Sequence, residues 1–161
     1  GSQGTTGATG TNGTSYFSYD GNDYNHTGGG AAETLTTISL PANTLSVNGQ
    51  TLKIELDGDT VATANAKTLT IKFAGTTIAT NSTTTAPNGK NFKVFISIRR
   101  ATNAAVNCST VIMFDGIAAQ TKYTGVAGLA LASTAYDFKL DVTSSDYNGV
   151  TVTDVLSYKI S

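Results

Sequence analysis

Thr51-Leu52-Lys53-Ile54-Glu55-Leu56-Asp57 is the stretch that decides the fold class. Leu52, Ile54 and Leu56 fall on one side of an extended chain and Lys53, Glu55 and Asp57 on the other. That period of two marks a strand with one face buried and one in water. Reading outward, Asn48-Gly49 before it is a turn, because both residues tolerate positive φ. Asp57-Gly58-Asp59 after it reads as a second turn. The same alternation returns in Phe92, Val94, Ile96 and Ile98, with Lys93, Ser97 and Arg99 between them. It returns again in Val106, Cys108, Thr110, Ile112 and Phe114. Residues 69–73 form a further strand, hairpinned through Ala74-Gly75 into 77–79, and Pro87-Asn88-Gly89 turns the chain toward Phe92. Residues 15–19 make a short first strand, and 34–40 make an edge strand that stops at Pro41. Tyr136, Phe138, Leu140 and Val142 pair as a last hairpin with 150–160, across Asp146-Tyr147-Asn148-Gly149. Residues 116–135 are small and weakly patterned and receive no assignment.

About eight or nine short strands with regular turns and no helical period predict an all-β antiparallel sandwich. The Cys…Trp…Cys landmark of immunoglobulin domains is missing, and the length suits a jelly roll better. Three apolar residues break the polar faces: Phe95 opposite Val94 and Ile96, and Val111 and Met113 opposite Ile112. Such second faces are what a homotrimer would bury between its subunits.

Before the strands stands a different pattern. Glycine occupies positions 1, 4, 7, 10 and 13, the Gly-X-Y period of a collagen triple helix, where only glycine fits at the crowded axis. Residues 1–15 therefore read as a collagen-like stub, the last triplets of a longer stalk, and residues 16–161 as the sandwich. The triplets hold no proline, so the stub adds little register of its own. The β domain is expected to supply the threefold contact.

The chain has 161 residues, a net charge of −1 and only 13% charged residues, which points away from nucleic acid and anionic membrane as partners. No apolar run reaches the roughly 20 residues of a membrane span, so insertion is not expected. Cys108 is the sole cysteine and lies on an apolar strand face, so it reads as a small buried hydrophobe.

Gly-X-Y triplets that run straight into a Thr/Asn/Ala-rich β domain resemble the collagen-like fibre proteins of bacteriophage virions. The segment Ala64-Asn65-Ala66-Lys67-Thr68-Leu69-Thr70-Ile71-Lys72-Phe73-Ala74-Gly75-Thr76 looks like a strand–turn pattern of small tail- and head-fibre domains. The resemblance implies a trimeric, non-enzymatic appendage of the virion that binds a bacterial surface or decorates the capsid. Exosporium glycoproteins and C1q/TNF-like domains also join collagen to a jelly roll. This chain lacks the spaced Phe, Asn, Tyr-Asp and Gly-x-Phe landmarks of the C1q type. No catalytic or binding residue carries over from any of these families.

Chemistry has to be sought residue by residue. Tyr24, Tyr123 and Tyr147 read as loop aromatics on which sugars stack, and Tyr24 and Tyr147 stand between Asn and Asp, which hydrogen-bond hydroxyls. Arg99-Arg100 is the only basic pair and suits a carboxylate or phosphate. Asp20, Asn22 and Asp23 offer oxygens for Ca²⁺ but lack the glycine and distal glutamate of an EF-hand loop, so the expectation is no cofactor. Asp57 and Asp59 are a weaker candidate of the same kind. His26, the sole histidine, reads as a solvated loop residue rather than a base, since no activated nucleophile is legible beside it. The expected function is adhesion of a virion fibre tip to a host glycan or protein, multiplied by three copies. The rivals are a structural protein of a bacterial or spore surface and, less favoured, a glycan-degrading enzyme, for which no paired carboxylates are legible.

Overall fold

The computed structural model describes residues 16–83 and 90–160. The Gly-X-Y segment and the Pro87-Asn88-Gly89 turn lie outside the described residues. Eleven strands follow in order: β1 Phe17–Asp20, β2 Tyr24–Asn25, β3 Ala32–Leu40, β4 Thr51–Thr60, β5 Lys67–Phe73, β6 Thr76–Thr83, β7 Asn91–Thr102, β8 Ala105–Phe114, β9 Ile117–Ala127, β10 Tyr136–Ser144 and β11 Val150–Ile160. They form two antiparallel sheets. The larger has the order β1-β11-β4-β7-β8-β9, with β2 also on β11, and the smaller has the order β3-β10-β5-β6. The molecule is an all-β sandwich, as the alternation requires.

The period-two stretches become the inner faces. Leu52, Ile54 and Leu56 of β4, Phe92, Val94, Ile96 and Ile98 of β7, and Ile112 of β8 are at most 2% exposed. They meet Leu69, Ile71 and Phe73 of β5 and Phe138, Leu140 and Val142 of β10, which are equally buried. Burying one such side chain contributes roughly 1.5–3 kcal/mol, so this interdigitated layer dominates the stability. Cys108 belongs to the layer, and burial pushes its thiol up to about 12. At one flank, the Thr124 hydroxyl of β9 donates to the Ile78 carbonyl of β6 at 3.0 Å and stitches the two sheets together.

Several expectations are corrected. Asp57-Gly58-Asp59 does not turn, because β4 runs through it to Thr60. Gly58 is there for space: a Cβ would lie 2.4 Å from the Phe92 ring and 2.3 Å from the Thr151 carbonyl oxygen. β10 and β11 are not a hairpin. β10 pairs with β3 and β5 while β11 pairs with β4 and β1, so the 145–149 connection crosses between sheets. Alternation shows that a strand is half-buried but not which sheet it joins. The unassigned region contains the full strand β9, entered through Asp115-Gly116, whose φ values of 48° and 79° make a tight hairpin turn. Its predominantly exposed side chains explain why no apolar period announced it. β3 is an edge strand, as Pro41 suggests.

Candidate functional site: the outer face of the larger sheet

Six strands of the larger sheet place their outward residues in register. One row runs Phe17, Tyr158, Lys53, Ser97, Ser109, Tyr123. The next runs Tyr19, Leu156, Glu55, Phe95, Val111, Thr121. A third, at the end where the chain enters the domain, runs Ile160, Thr51, Arg99, Asn107, Gly125. Aromatic and aliphatic side chains thus share this face with amides, hydroxyls and charges. Phe17 is 73% exposed, Tyr123 75% and Phe95 38%.

Two shallow grooves cross it. The first, about 290 Å³, lies among Arg99, Asn107, Ser109, Ser97, Lys53 and Tyr123. The second, about 180 Å³, is bordered by Phe95, Val111, Glu55 and Tyr158. Lys53 donates to the Ser97 hydroxyl on the boundary between them. An exposed ring beside a guanidinium, an amide and two hydroxyls offers stacking, donors and acceptors together. It can hold a ring-shaped polar ligand by one apolar face and its rim.

The sequence-selected residues divide accordingly. Arg99 and Tyr123 come together in the first groove. Tyr123 stands on β9, not in a loop as expected, and Arg99 points outward from β7. Arg100 is bonded within the chain. Its Nη1 donates to the Leu45 carbonyl at 2.6 Å and its Nε to Asn48 Oδ1 at 3.1 Å, so it braces the turn before β4. Phe95, Val111 and Met113 lie on this same outer face. They are partly exposed in the single chain.

Tyr24 and Tyr147 sit at the opposite end of the sandwich. Tyr147 is 75% exposed in the connection between β10 and β11. Tyr24 is in β2, and its hydroxyl donates to Asp20 Oδ2 at 2.5 Å, which raises the phenol's pKa and lowers the carboxylate's. Asp20 Oδ1 also accepts from the Asn22 backbone at 3.0 Å and the Asn22 amide at 2.7 Å. Of the three residues considered for Ca²⁺, Asp20 and Asn22 are bonded to each other in a local turn. Asp57 pairs with Lys93 at 2.6 Å on β7. No cluster of three metal-ligating side chains occurs among the described residues.

His26 is fully buried, which overturns the solvated-loop expectation. Its Nδ1 accepts from the Gly28 N–H at 3.0 Å, its backbone N–H donates to Val150 and its carbonyl accepts from Asn148. These bonds pin the β2–β3 loop onto the crossing between sheets. Nε2 lies 3.8 Å from Glu33, whose carboxylate accepts instead from the Thr27 N–H and hydroxyl, the bonds that lower its pKa. A second anchor lies nearby. Lys67, 1% exposed, reaches Asp146 at 3.1 Å and the Asn65 carbonyl at 2.8 Å. Hydrogen bonds from Thr63 and Asn65, with Lys67, hold the Asp146 carboxyl down at about 2. The signal missed in the sequence was this polar set around the connections, in which Thr63 and Asp146, for example, lie 83 residues apart.

No protein-family model matches the chain, and no curated protein matches it. Among solved structures, it is similar to the CBM2 module of the evolved Dit of Lactobacillus casei BL23 phage J-1. That match has 11% identity, covers 76% of this chain and 67% of the module, and has a TM-score of 0.42. It is also similar to a chain of infectious bursal disease virus, Gt strain, at 15% identity and TM-score 0.35, over 91% of this chain and 31% of that one. The Gx strain gives 16% identity and TM-score 0.35, over 92% and 30%. A phage module and a virus chain are thus among its structural neighbours.

Proposed function

We propose that this chain is the adhesion domain of a collagen-stalked virion fibre, present in three copies, and that it holds a glycan of the host surface in the Arg99–Tyr123 groove. The reading is of a binding module and not of an enzyme. The observation that carries it is the convergence of Arg99, Asn107, Ser109 and the exposed Tyr123 ring on one groove of about 290 Å³. A sugar presents an apolar C–H face to an aromatic ring and hydroxyls to amides, and an acidic sugar adds a carboxylate for the guanidinium. Each site is shallow and open, so the individual affinity is low. Three copies on one stalk and several stalks on one particle restore tight attachment through effective concentration. The Gly-X-Y period supports the stalk, and the phage-fibre resemblance of the sequence supports the setting.

The test is a glycan array probed with the labelled full chain, followed by titration of the best binder. Tyr123→Ala and Arg99→Ala should each weaken per-site binding by about tenfold or more, the effect of about 1.4 kcal/mol. Tyr147→Ala, at the other end, should leave it unchanged. Binding that survives the Tyr123/Arg99 double variant, or an array blank for the parent chain, would sink the proposal.

A further inference from the structure

We infer that the surface by which copies of this chain meet is the β1–β11 edge of the larger sheet, centred on Phe17, Tyr19, Tyr158 and Ile160, and not the middle of the sheet where Phe95, Val111 and Met113 lie. The inference rests on the stalked, three-copy part of the reading above, and is independent of what the groove binds. It joins two observations: where the Gly-X-Y period stops, and what the first strand exposes.

The last in-phase glycine is Gly13, and Phe17 opens β1 four residues later. In a triple helix all three chains lie against a common axis. Four residues span at most about 14 Å even when fully extended. Every copy of Phe17 is therefore tethered within about 14 Å of the threefold axis, and β1 is the strand held nearest to it. β1 pairs with β11 alone, with Phe17 opposite Tyr158 and Tyr19 opposite Leu156, and all four side chains share the outer face. Their exposure is what a buried contact would remove: Phe17 is 73% exposed, Tyr19 61% and Ile160 43%. Exposed aromatic side chains clustered on an edge strand are a liability unless something covers them.

The middle of the sheet is held farther out. β8, with Val111 and Met113, lies four strands beyond β1 in the order β1-β11-β4-β7-β8, or about 19 Å at about 4.8 Å per strand. β9, with Tyr123, lies one strand farther still. The Arg99–Tyr123 groove lies on the same face three to five strands from β1, so a contact centred on β1 leaves three grooves uncovered on one assembly. Threefold closure also brings the same patch of each copy around one axis, which suits a compact cluster better than a broad sheet face.

The experiment uses the full chain. Light scattering at micromolar concentration should give three times the monomer mass. Phe17→Lys and Ile160→Lys should each reduce it to the monomer mass, while Met113→Lys should leave it threefold. Both edge residues are exposed, so an unchanged far-UV spectrum is expected and separates dissociation from unfolding. A distance measurement gives an independent reading, because buried Cys108 leaves an introduced cysteine as the reactive thiol. Spin labels at Phe17→Cys should lie closer together, with backbone separations within about 24 Å by the same reach, than labels at Met113→Cys. A parent chain of monomer mass overturns the inference. So does a Phe17→Lys variant that stays threefold, a Met113→Lys variant that dissociates, or labels closer at 113 than at 17. Loss of glycan binding with these masses unchanged would refute the groove and leave the interface standing.

Discussion

The two faces of the larger sheet are made by the same strands, and they differ in what each tolerates. Toward the smaller sheet, Leu52, Ile54, Leu56, Val94, Ile96 and Ile98 are sealed almost completely in the hydrophobic core. Toward water, their neighbours Lys53, Glu55, Phe95, Ser97 and Arg99 make few obligatory contacts. Cross-strand register forces this contrast, since a slip of one residue would exchange the faces along a whole strand. The inner face is therefore answerable to packing and the outer face to partners. Aromatic residues on the inner face are core, as in the Phe92–Phe114 contact at 6.3 Å. On the outer face they are available.

The contrast can be broken most severely at Ile54. Ile54→Asp places an unpaired charge in the sealed layer, a cost comparable with the whole stability of about 5–15 kcal/mol, so no cooperative unfolding transition should remain in urea. Phe138→Ala, at 0% exposure, removes a ring from the same layer. It should lower the unfolding free energy by about 3–5 kcal/mol while the fold persists in a far-UV spectrum. Gly58→Ala tests a single Cβ against the Phe92 ring and the Thr151 carbonyl. A loss of about 1–3 kcal/mol is expected, because the carbonyl cannot yield without opening the β4–β11 ladder.

Acid sharpens the comparison at the sheet connections. The folded Asp146 carboxyl, near 2, lies below its ordinary value of 3.8. A depressed carboxylate stabilises the fold above its unfolded pKa, and that contribution fades as pH falls from about 4 through about 2. Asp146→Asn should flatten the fall in melting temperature over that window relative to the parent. A parallel fall in both proteins would remove Asp146 from the account. The smallest effect belongs to the outer face. Phe95→Asp, at a site 38% exposed, should cost no more than about 1 kcal/mol in urea, against the collapse expected of Ile54→Asp on the neighbouring strand, one register position away on the sealed side. A collapse of both would make Phe95 core.

Much of this was legible. Wherever a strand buries one face, the alternation itself shows it, and 51–57, 92–98, 106–114 and 136–142 were placed on that ground. Asp115-Gly116 has the composition of a hairpin turn, but the exposed strand after it has no apolar period to mark it as a strand. Of the candidate ligand residues, Arg99 and Tyr123 are neighbours only because β7, β8 and β9 lie side by side. Arg100, next to Arg99 in the chain, faces the other way and is spent on Leu45 and Asn48.

The sequence by itself determined the class of the fold and the inner face of each regular strand. These depend on period and on φ preferences, which are local. Only the tertiary structure decided which sheet each strand joins, that 145–149 crosses between sheets, and that Gly58 serves a ring rather than a turn. It alone decided that His26 and Lys67 are buried anchors of the loops. Those outcomes depend on contacts between residues far apart in the chain, and no local pattern encodes which distant partner will fill a space or satisfy a buried donor.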